Sequence, residues 1–187
     1  MSGWKVPTED ENPIDVLFVN IGEQIAEPLH KSGHTPNIIT TYSVIARLIS
    51  IYYFVNDSYK LSALFYLIGH FFDDLDGYMA RKYKQTSEIG ELYDHVTDVI
   101  FTFIIIVLLL NKIKHKKEII ILGIILLSLQ FIHIGYCEST KKDKTDTIFN
   151  IVKNISCSKD IIHIIRWFGA GTNAVIFAIL IAFANKI

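Results

Sequence analysis

Four aspartates stand where an apolar helix tolerates them least. Asp73 and Asp76 close one long apolar stretch of this 187-residue chain, and Asp94 and Asp98 open the next. An ionised carboxylate at the edge of hydrocarbon is costly unless it is paired or bound to a cation, so each of the four is a functional candidate. Asp73 and Asp76 lie at i,i+3 and Asp94 and Asp98 at i,i+4, so each pair shares one helix face. Residues 76 and 94 are symmetric about position 85, and residues 73 and 98 about 85.5. A hairpin closed at that point sets Asp76 opposite Asp94 and Asp73 opposite Asp98. Four negative charges in one spot require a counter-charge, and one or two divalent cations are the simplest supply. Oxygen-only donors suit Mg²⁺ or Mn²⁺ better than Zn²⁺.

The residues between the acids suit a phosphate ligand. Gly77 follows Asp76 and leaves space against the helix backbone, and Ala80 is small one turn on. Arg81 brings a fixed cation whose fork matches phosphate oxygens. Gly90 keeps the entrance of the second acidic helix clear. Metal, arginine and an open slot together read as pyrophosphate chemistry at a membrane surface.

The elements that must position these residues are helices in a bilayer. Hydrophobic residues make up 51% of the chain and charged ones 20%, and the apolar residues are blocked into runs. Five runs are expected: Ile38–Val55, Leu61–Arg81, Gly90–Leu110, Ile119–Tyr136 and Trp167–Ala184. Each is long enough to cross ~30 Å of hydrocarbon at about 1.5 Å per residue. Ahead of them, Ile14 to Lys31 reads as an amphipathic helix, its Ile14, Leu17, Phe18, Ile21, Ile25 and Leu29 recurring at spacings of three and four. It is expected either to lie along the membrane surface or to dock on the bundle. The fold expected is all-α: a polytopic helical membrane protein of five to six spans, with residues 1–37 as polar N-terminus and juxtamembrane helix and residues 38–187 as the transmembrane domain.

Loops between the runs are short, except for the polar stretch from Cys137 to Ile165, where Ile148, Ile151, Val152 and Ile155 leave room for one more helix or span. Basic residues favour the side holding Lys5, Lys31, Arg81, Lys82, Lys84 and the lysines at 141, 142, 144, 153 and 159 as cytoplasmic, over Lys60, Lys112, Lys114, Lys116, Lys117 and Lys186 opposite. Cys137 and Cys157 match no zinc spacing or disulfide framework. The polar, acidic first twelve residues do not read as a signal peptide. A net charge of -1 gives no sign of nucleic-acid binding, and no nucleic-acid partner is expected.

The motif Asp73-x2-Asp76-Gly77-x2-Ala80-Arg81-x8-Gly90-x3-Asp94-x3-Asp98 resembles the signature of the CDP-alcohol phosphatidyltransferase family at all eight fixed positions. Thr35-Pro36-Asn37-Ile38-Ile39-Thr40 is similar to that family's entry into its first span. The resemblance implies a membrane enzyme of phospholipid synthesis, usually six-span and homodimeric. It would transfer a substituted phosphate from a CDP-linked donor to an alcohol acceptor, one of them a lipid, and release CMP at the cytoplasmic face with two divalent metals. It also implies that Asp73, Asp76 and Asp94 hold metal, that Asp98 is the catalytic base and a further metal contact, and that Asn37, Asp76, Gly77, Ala80, Arg81 and Gly90 form the nucleotide site.

Substrate choice is divided. Gly90-Glu91-Leu92-Tyr93-Asp94-His95 is similar to choline and ethanolamine phosphotransferases, whose CDP carries the amino alcohol. Leu75-Asp76-Gly77-Tyr78 and Val96-Thr97-Asp98 are similar to phosphatidylinositol synthases, whose donor is CDP-diacylglycerol. Those synthases usually carry arginine directly after the last aspartate, where this chain has Val99, which argues against inositol or a phosphorylated acceptor. His95 is a candidate acceptor contact. Arg47, mid-run, should face the bundle interior and pair with an acid or a lipid phosphate. Arg166 reads as an interface anchor, and His70 and His133 as packing residues. Asp74, a fifth acid, is expected to face solvent or groups behind the site. The alternative class is a cation transporter or channel using the paired aspartates; it leaves Gly77, Ala80, Arg81 and Gly90 unexplained. A DDxxD prenyltransferase fails because position 77 is glycine.

Overall fold

The computed structural model describes residues 3–140 and 159–186. Within them the chain forms α1 (Pro13–Lys31), α2 (Pro36–Val55), α3 (Tyr59–Lys82), α4 (Glu88–Lys112), α5 (Lys116–Thr140), α6 (Lys159–Ile165), a 3₁₀ turn over Arg166–Phe168, and α7 (Ala170–Ala182). The elements begin and end where local chemistry dictates. Asn12 caps α1 by accepting from the amides of Ile14 and Asp15, with Pro13 at the first helical position. α1, α2 and α3 each stop at a residue with positive φ: Gly33 at 88°, Asp57 at 57° and Lys84 at 55°. In each the next amide reaches back to the last turn; Gln85 N–H, for example, donates to the Ala80 carbonyl at 2.8 Å. Ser87 caps α4 through the Gly90 amide at 3.1 Å. The α3–α4 turn therefore spans 83–87, centred on the symmetry point of the acid pairs.

α3 is the central helix, packed against α2, α1 and α7. At its C-terminal end Leu75, Tyr78 and Met79 join Val19 and Ala26 of α1 and Ile39 of α2 in one core. Burying a side chain such as Leu75 or Met79 is worth about 1.5–3 kcal/mol. At its other end Tyr59 and Ala63 pack with Phe54, Ile105, Leu109, Ala178 and Ile181. α1 docks through Asp15, Val19, Gly22 and Ala26, and a Cβ on Gly22 would stand 3.0 Å from Leu75 Cδ1. The Tyr78 hydroxyl donates to Glu23 Oε1 at 2.5 Å, which holds that exposed carboxyl below its ordinary range. The stripe Leu17, Ile21 and Ile25 is left exposed. The helix docks through its small residues and leaves an apolar stripe facing outward.

Among the described residues, four helical segments are long and apolar enough to cross a membrane: Pro36–Val55, Glu88–Lys112, Lys116–Cys137 and Ile161–Ala182. This is the build of an integral membrane protein. α3, 24 residues long, is not among these four because Asp73, Asp74, Asp76, Arg81 and Lys82 crowd its last turns. The last run is not one helix either: it breaks at Gly169, whose would-be Cβ stands 2.8 Å from Asn12 Cβ. The further span considered between residues 146 and 165 falls mostly outside the described residues, as do Cys157 and the lysines at 141, 142, 144 and 153. Cys137 is buried, its Sγ 3.6 Å from His133 Nε2.

Candidate active site

The end of α3 and the start of α4 bring the aspartates together. Carboxylate oxygens of Asp73, Asp76 and Asp94 all lie within 4.8 Å of one another, and Asp94, His95 and Asp98 form an adjoining group on the same criterion. α2 supplies the first compensation. Thr40 Oγ1 donates to Asp76 Oδ2 at 2.6 Å. Arg47 donates through Nη2 to Asp73 Oδ1 at 2.8 Å and through Nη1 to Asp98 Oδ1, so one guanidinium joins α3 to α4. Its plane lies 5.9 Å from the Phe101 ring centroid. Its stem fits because residue 69 is glycine; a Cβ there would stand 2.7 Å from Arg47 Cγ.

One arginine against four carboxylates leaves a large excess of negative charge. Asp94 Oδ1 is buried and has no hydrogen-bond partner. Three close carboxylates with an orphaned oxygen among them form a hard, all-oxygen donor set, which fits a divalent cation such as Mg²⁺ or Mn²⁺.

Beside the carboxylates stands Arg81. The terminal nitrogens of Arg81 reach over Gly77, where a Cβ would stand 3.0 Å from Nη1. At Gly90 a Cβ would stand 2.8 Å from Asn37 Oδ1 and 2.9 Å from Ser87 Oγ. The start of α2, the end of α3 and the start of α4 therefore meet around two glycines, and Ala80 is half-buried on the same α3 segment. His95 sits at the mouth, its ring nitrogens 3.7 Å from Glu91 Oε1 and 3.8 Å from Asp94 Oδ2. A cationic fork beside a cluster of carboxylates is an arrangement suited to a diphosphate with a cation.

A family model described as CDP-alcohol phosphatidyltransferase matches residues 33–185, from just before α2 to the end of α7. The chain belongs to the CDP-alcohol phosphatidyltransferase family. It is similar to the CDP-diacylglycerol–glycerol-3-phosphate 3-phosphatidyltransferase of Rickettsia felis, 31% identical over 41% of this chain and 44% of that one. The Haemophilus influenzae protein of the same name is 33% identical over 52% and 54%. The CDP-diacylglycerol–inositol 3-phosphatidyltransferase of Candida albicans is 37% identical over 41% of this chain and 33% of its own. The chain thus spans about half or less of the length of each of these relatives. No solved structure matches it.

CDP-alcohol phosphatidyltransferase membership and the geometry bear on the same residues. The carboxylates of Asp73, Asp76 and Asp94 are gathered together, Asp98 joins them through Arg47, and Asn37 meets Gly90. Asp74 turns to the opposite face, where His70 Nε2 lies 3.8 Å from it and 3.1 Å from Asp15 Oδ1. That buried trio ties α1 to α3 behind the site, rather than presenting Asp74 to solvent. His133 is away from the site, its Nε2 3.0 Å from the Asp10 carbonyl. Arg166 is spent on the carbonyls of Thr8 and Glu9. Thr40 and Gly69 were not singled out as site residues from sequence. A hydroxyl and a glycine facing each other's helices at the depth of the acids were the available signal.

Proposed function

We propose that this protein transfers the phosphatidyl group of CDP-diacylglycerol to the hydroxyl of an alcohol, releasing CMP. The observation that carries this is the convergence of four carboxylates beside Arg81, Gly77, Gly90 and Asn37. The names of the relatives in Rickettsia, Haemophilus and Candida, all CDP-diacylglycerol enzymes, support this donor over a CDP-amino alcohol. Asp73, Asp76, Asp94 and Asp98 would hold Mg²⁺ or Mn²⁺, two ions with all four engaged, and bound metal would neutralise diphosphate oxygens and the departing CMP.

The chain's own residues do the rest. Arg81 binds diphosphate oxygens through its terminal nitrogens, and Gly77 and Gly90 keep the slot open for the nucleotide, with Asn37 at its edge. The acceptor oxygen bonds to the phosphorus that carries diacylglycerol, the bond from that phosphorus to the CMP oxygen breaks, and the acceptor proton passes to Asp98. Arg47 fixes the Asp98 carboxylate for that transfer, and His95 stands where the acceptor enters. Attack then requires only that both substrates be held in line. The transporter alternative has no support from the family or from the glycines and arginine of the motif.

Two further readings go with this one. The basic residues Lys31, Arg81, Lys82 and Lys84 at the site end of the helices support a cytoplasmic active site. The exposed residues Ile89, Leu92, Val96, Val99 and Phe103 of α4, alternating at spacings of three and four, support a homodimer with α4 at the seam.

Purified protein should be offered CDP-diacylglycerol with glycerol 3-phosphate, inositol and uncharged alcohols, and CDP-choline or CDP-ethanolamine with diacylglycerol, each with EDTA or Mg²⁺. CMP release is expected from CDP-diacylglycerol with one acceptor, only with the metal, and lower by about 100-fold or more in Asp98→Asn. No CMP from any pair would refute the enzyme reading, and equal release by Asp98→Asn would remove Asp98 as the base.

A further inference from the structure

Residues 3–12, ahead of α1, run along the site rather than away from it. Three observations define their path. Arg81 donates through Nε to the Gly3 carbonyl at 2.7 Å. The Trp4 ring meets Tyr78 edge-on at 6.4 Å. Further along, Asp10 is buried against α5, its carbonyl 3.0 Å from His133 Nε2 and its Oδ2 accepting from the Tyr136 hydroxyl at 3.2 Å.

The segment is anchored at its far end as well. Arg166 donates to the Thr8 and Glu9 carbonyls, and Asn12, fully buried, donates to the Arg166 carbonyl at 2.6 Å. Main-chain groups make most of these contacts, so the path is held largely independently of side-chain identity. Gly3 itself has no room to vary. A Cβ there would stand 2.5 Å from Tyr78 Cδ2 and 2.9 Å from Cζ. Tyr78 cannot easily yield, since it is 1% exposed and its hydroxyl is engaged with Glu23 and Lys82.

We propose that residues 3–12 form a strap whose Gly3 carbonyl positions the Arg81 guanidinium for the diphosphate of the CDP donor. The proposal rests on the reading of Arg81 as a phosphate ligand. The carbonyl occupies Nε alone. Nη1 and Nη2 make no hydrogen bond among the described residues and project over Gly77, so the fork is aimed while its two terminal nitrogens stay available. A free arginine loses rotamer entropy on binding a ligand; one already held by a carbonyl has lost most of it beforehand. Gly3 is a positioning residue, and its role is specific to the donor.

The test uses the full chain as wild type, Gly3→Ala and Arg166→Gln, which disturb the strap at opposite ends. Calorimetry with CDP and Mg²⁺ measures nucleotide affinity, and steady-state kinetics with CDP-diacylglycerol measures turnover. The expected result is a roughly fivefold weaker CDP affinity and a matching rise in donor KM in both variants, with kcat and acceptor KM unchanged. Should Gly3→Ala fail to fold, Arg166→Gln carries the test alone. Unchanged CDP affinity in the folded variants overturns the proposal. So does a rise in acceptor KM with Arg166→Gln alone, which would make Arg166 an acceptor ligand. If the wild type turns over no donor but binds CDP more tightly than the variants do, the strap stands and the enzyme reading falls. If the wild type binds no CDP, both fall.

Discussion

Replacing Arg47 by methionine is the sharpest perturbation the site allows. Methionine keeps an unbranched stem against Gly69 and Phe101 and deletes only the charge. The Arg47 side chain is 9% exposed, Asp73 17% and Asp98 36%. Removing one partner of a buried pair costs about 3–5 kcal/mol, because the other charge is left uncompensated. Water reaches Asp98, which discounts its share and places the expected loss near the lower end, about 3 kcal/mol. That is about a 150-fold change in the unfolding equilibrium, or roughly 6–12 °C in Tm for a domain of this size. The loss must depend on metal. In the wild type a bound divalent cation would share Asp73 and Asp98 with Arg47; in the variant it would be the only counter-charge those carboxylates have. Removing the competing guanidinium charge tightens cation binding, and at saturation a variant Kd about 100-fold below that of the wild type closes about 2.7 kcal/mol of the difference, most of the deficit. Thermal unfolding in detergent, followed by tryptophan fluorescence with EDTA and then with Mg²⁺, reads both numbers. The expected result is a large Tm gap in EDTA that closes in Mg²⁺. An equal gap in both conditions would mean that Arg47 acts by packing alone, and the charge argument would be refuted.

Three more outcomes follow from the same geometry. Thr40→Val keeps the shape of the side chain and removes the donor to Asp76; by analogy with lost partners of metal-binding carboxylates, Mg²⁺ affinity should fall about 10-fold or more, read as the Mg²⁺ dependence of CMP release, with little change in Tm. Gly69→Ala places a methyl group against the Arg47 stem, far from any substrate, and should lower kcat roughly 10- to 100-fold by shifting Asp98; an unchanged kcat would show that the stem is free to move. Hydrogen exchange should report slower exchange on adding Mg²⁺ for amides 88–98 of α4 and no change for 101–112, whereas uniform slowing would mean that metal acts on the whole helix.

The parts legible in the sequence are those written within one helix or across one short turn. The four acids could be paired because period and symmetry about residue 85 need only two helices and a five-residue link. What a single helix cannot encode is its rotation against a neighbour. Arg47 was expected to find an acid, yet which acids, and that Gly69 clears its path, depends on how α2 and α3 interlock. The apolar period of α1 identified the helix but not its docking face, because in lipid an apolar stripe need not be buried, and Asp15, Gly22 and Ala26 approach α3 by being small or by pairing with His70. The contacts of the strap, such as Gly3 with Arg81 and Asp10 with His133, join residues 78 and 123 positions apart and leave no local periodicity.

α4 connects these observations. Its buried residues are Phe101, Ile105 and Leu109, all C-terminal to the acids. The half that carries Asp94 and Asp98 buries no residue of its own. Ionic and close-approach contacts hold it instead: Arg47 on Asp98, and Asn37 against Gly90. Apolar packing fixes one end of the helix, and the charges fix the other. The negative excess at the site therefore has a structural consequence as well as a chemical one. A cation bound there would also draw the loosely packed half of α4 onto α2 and α3. Gly77 and Gly90 lie on α3 and α4, so on the proposed function the counter-charge that would serve phosphoryl transfer would also set the width of the slot between them.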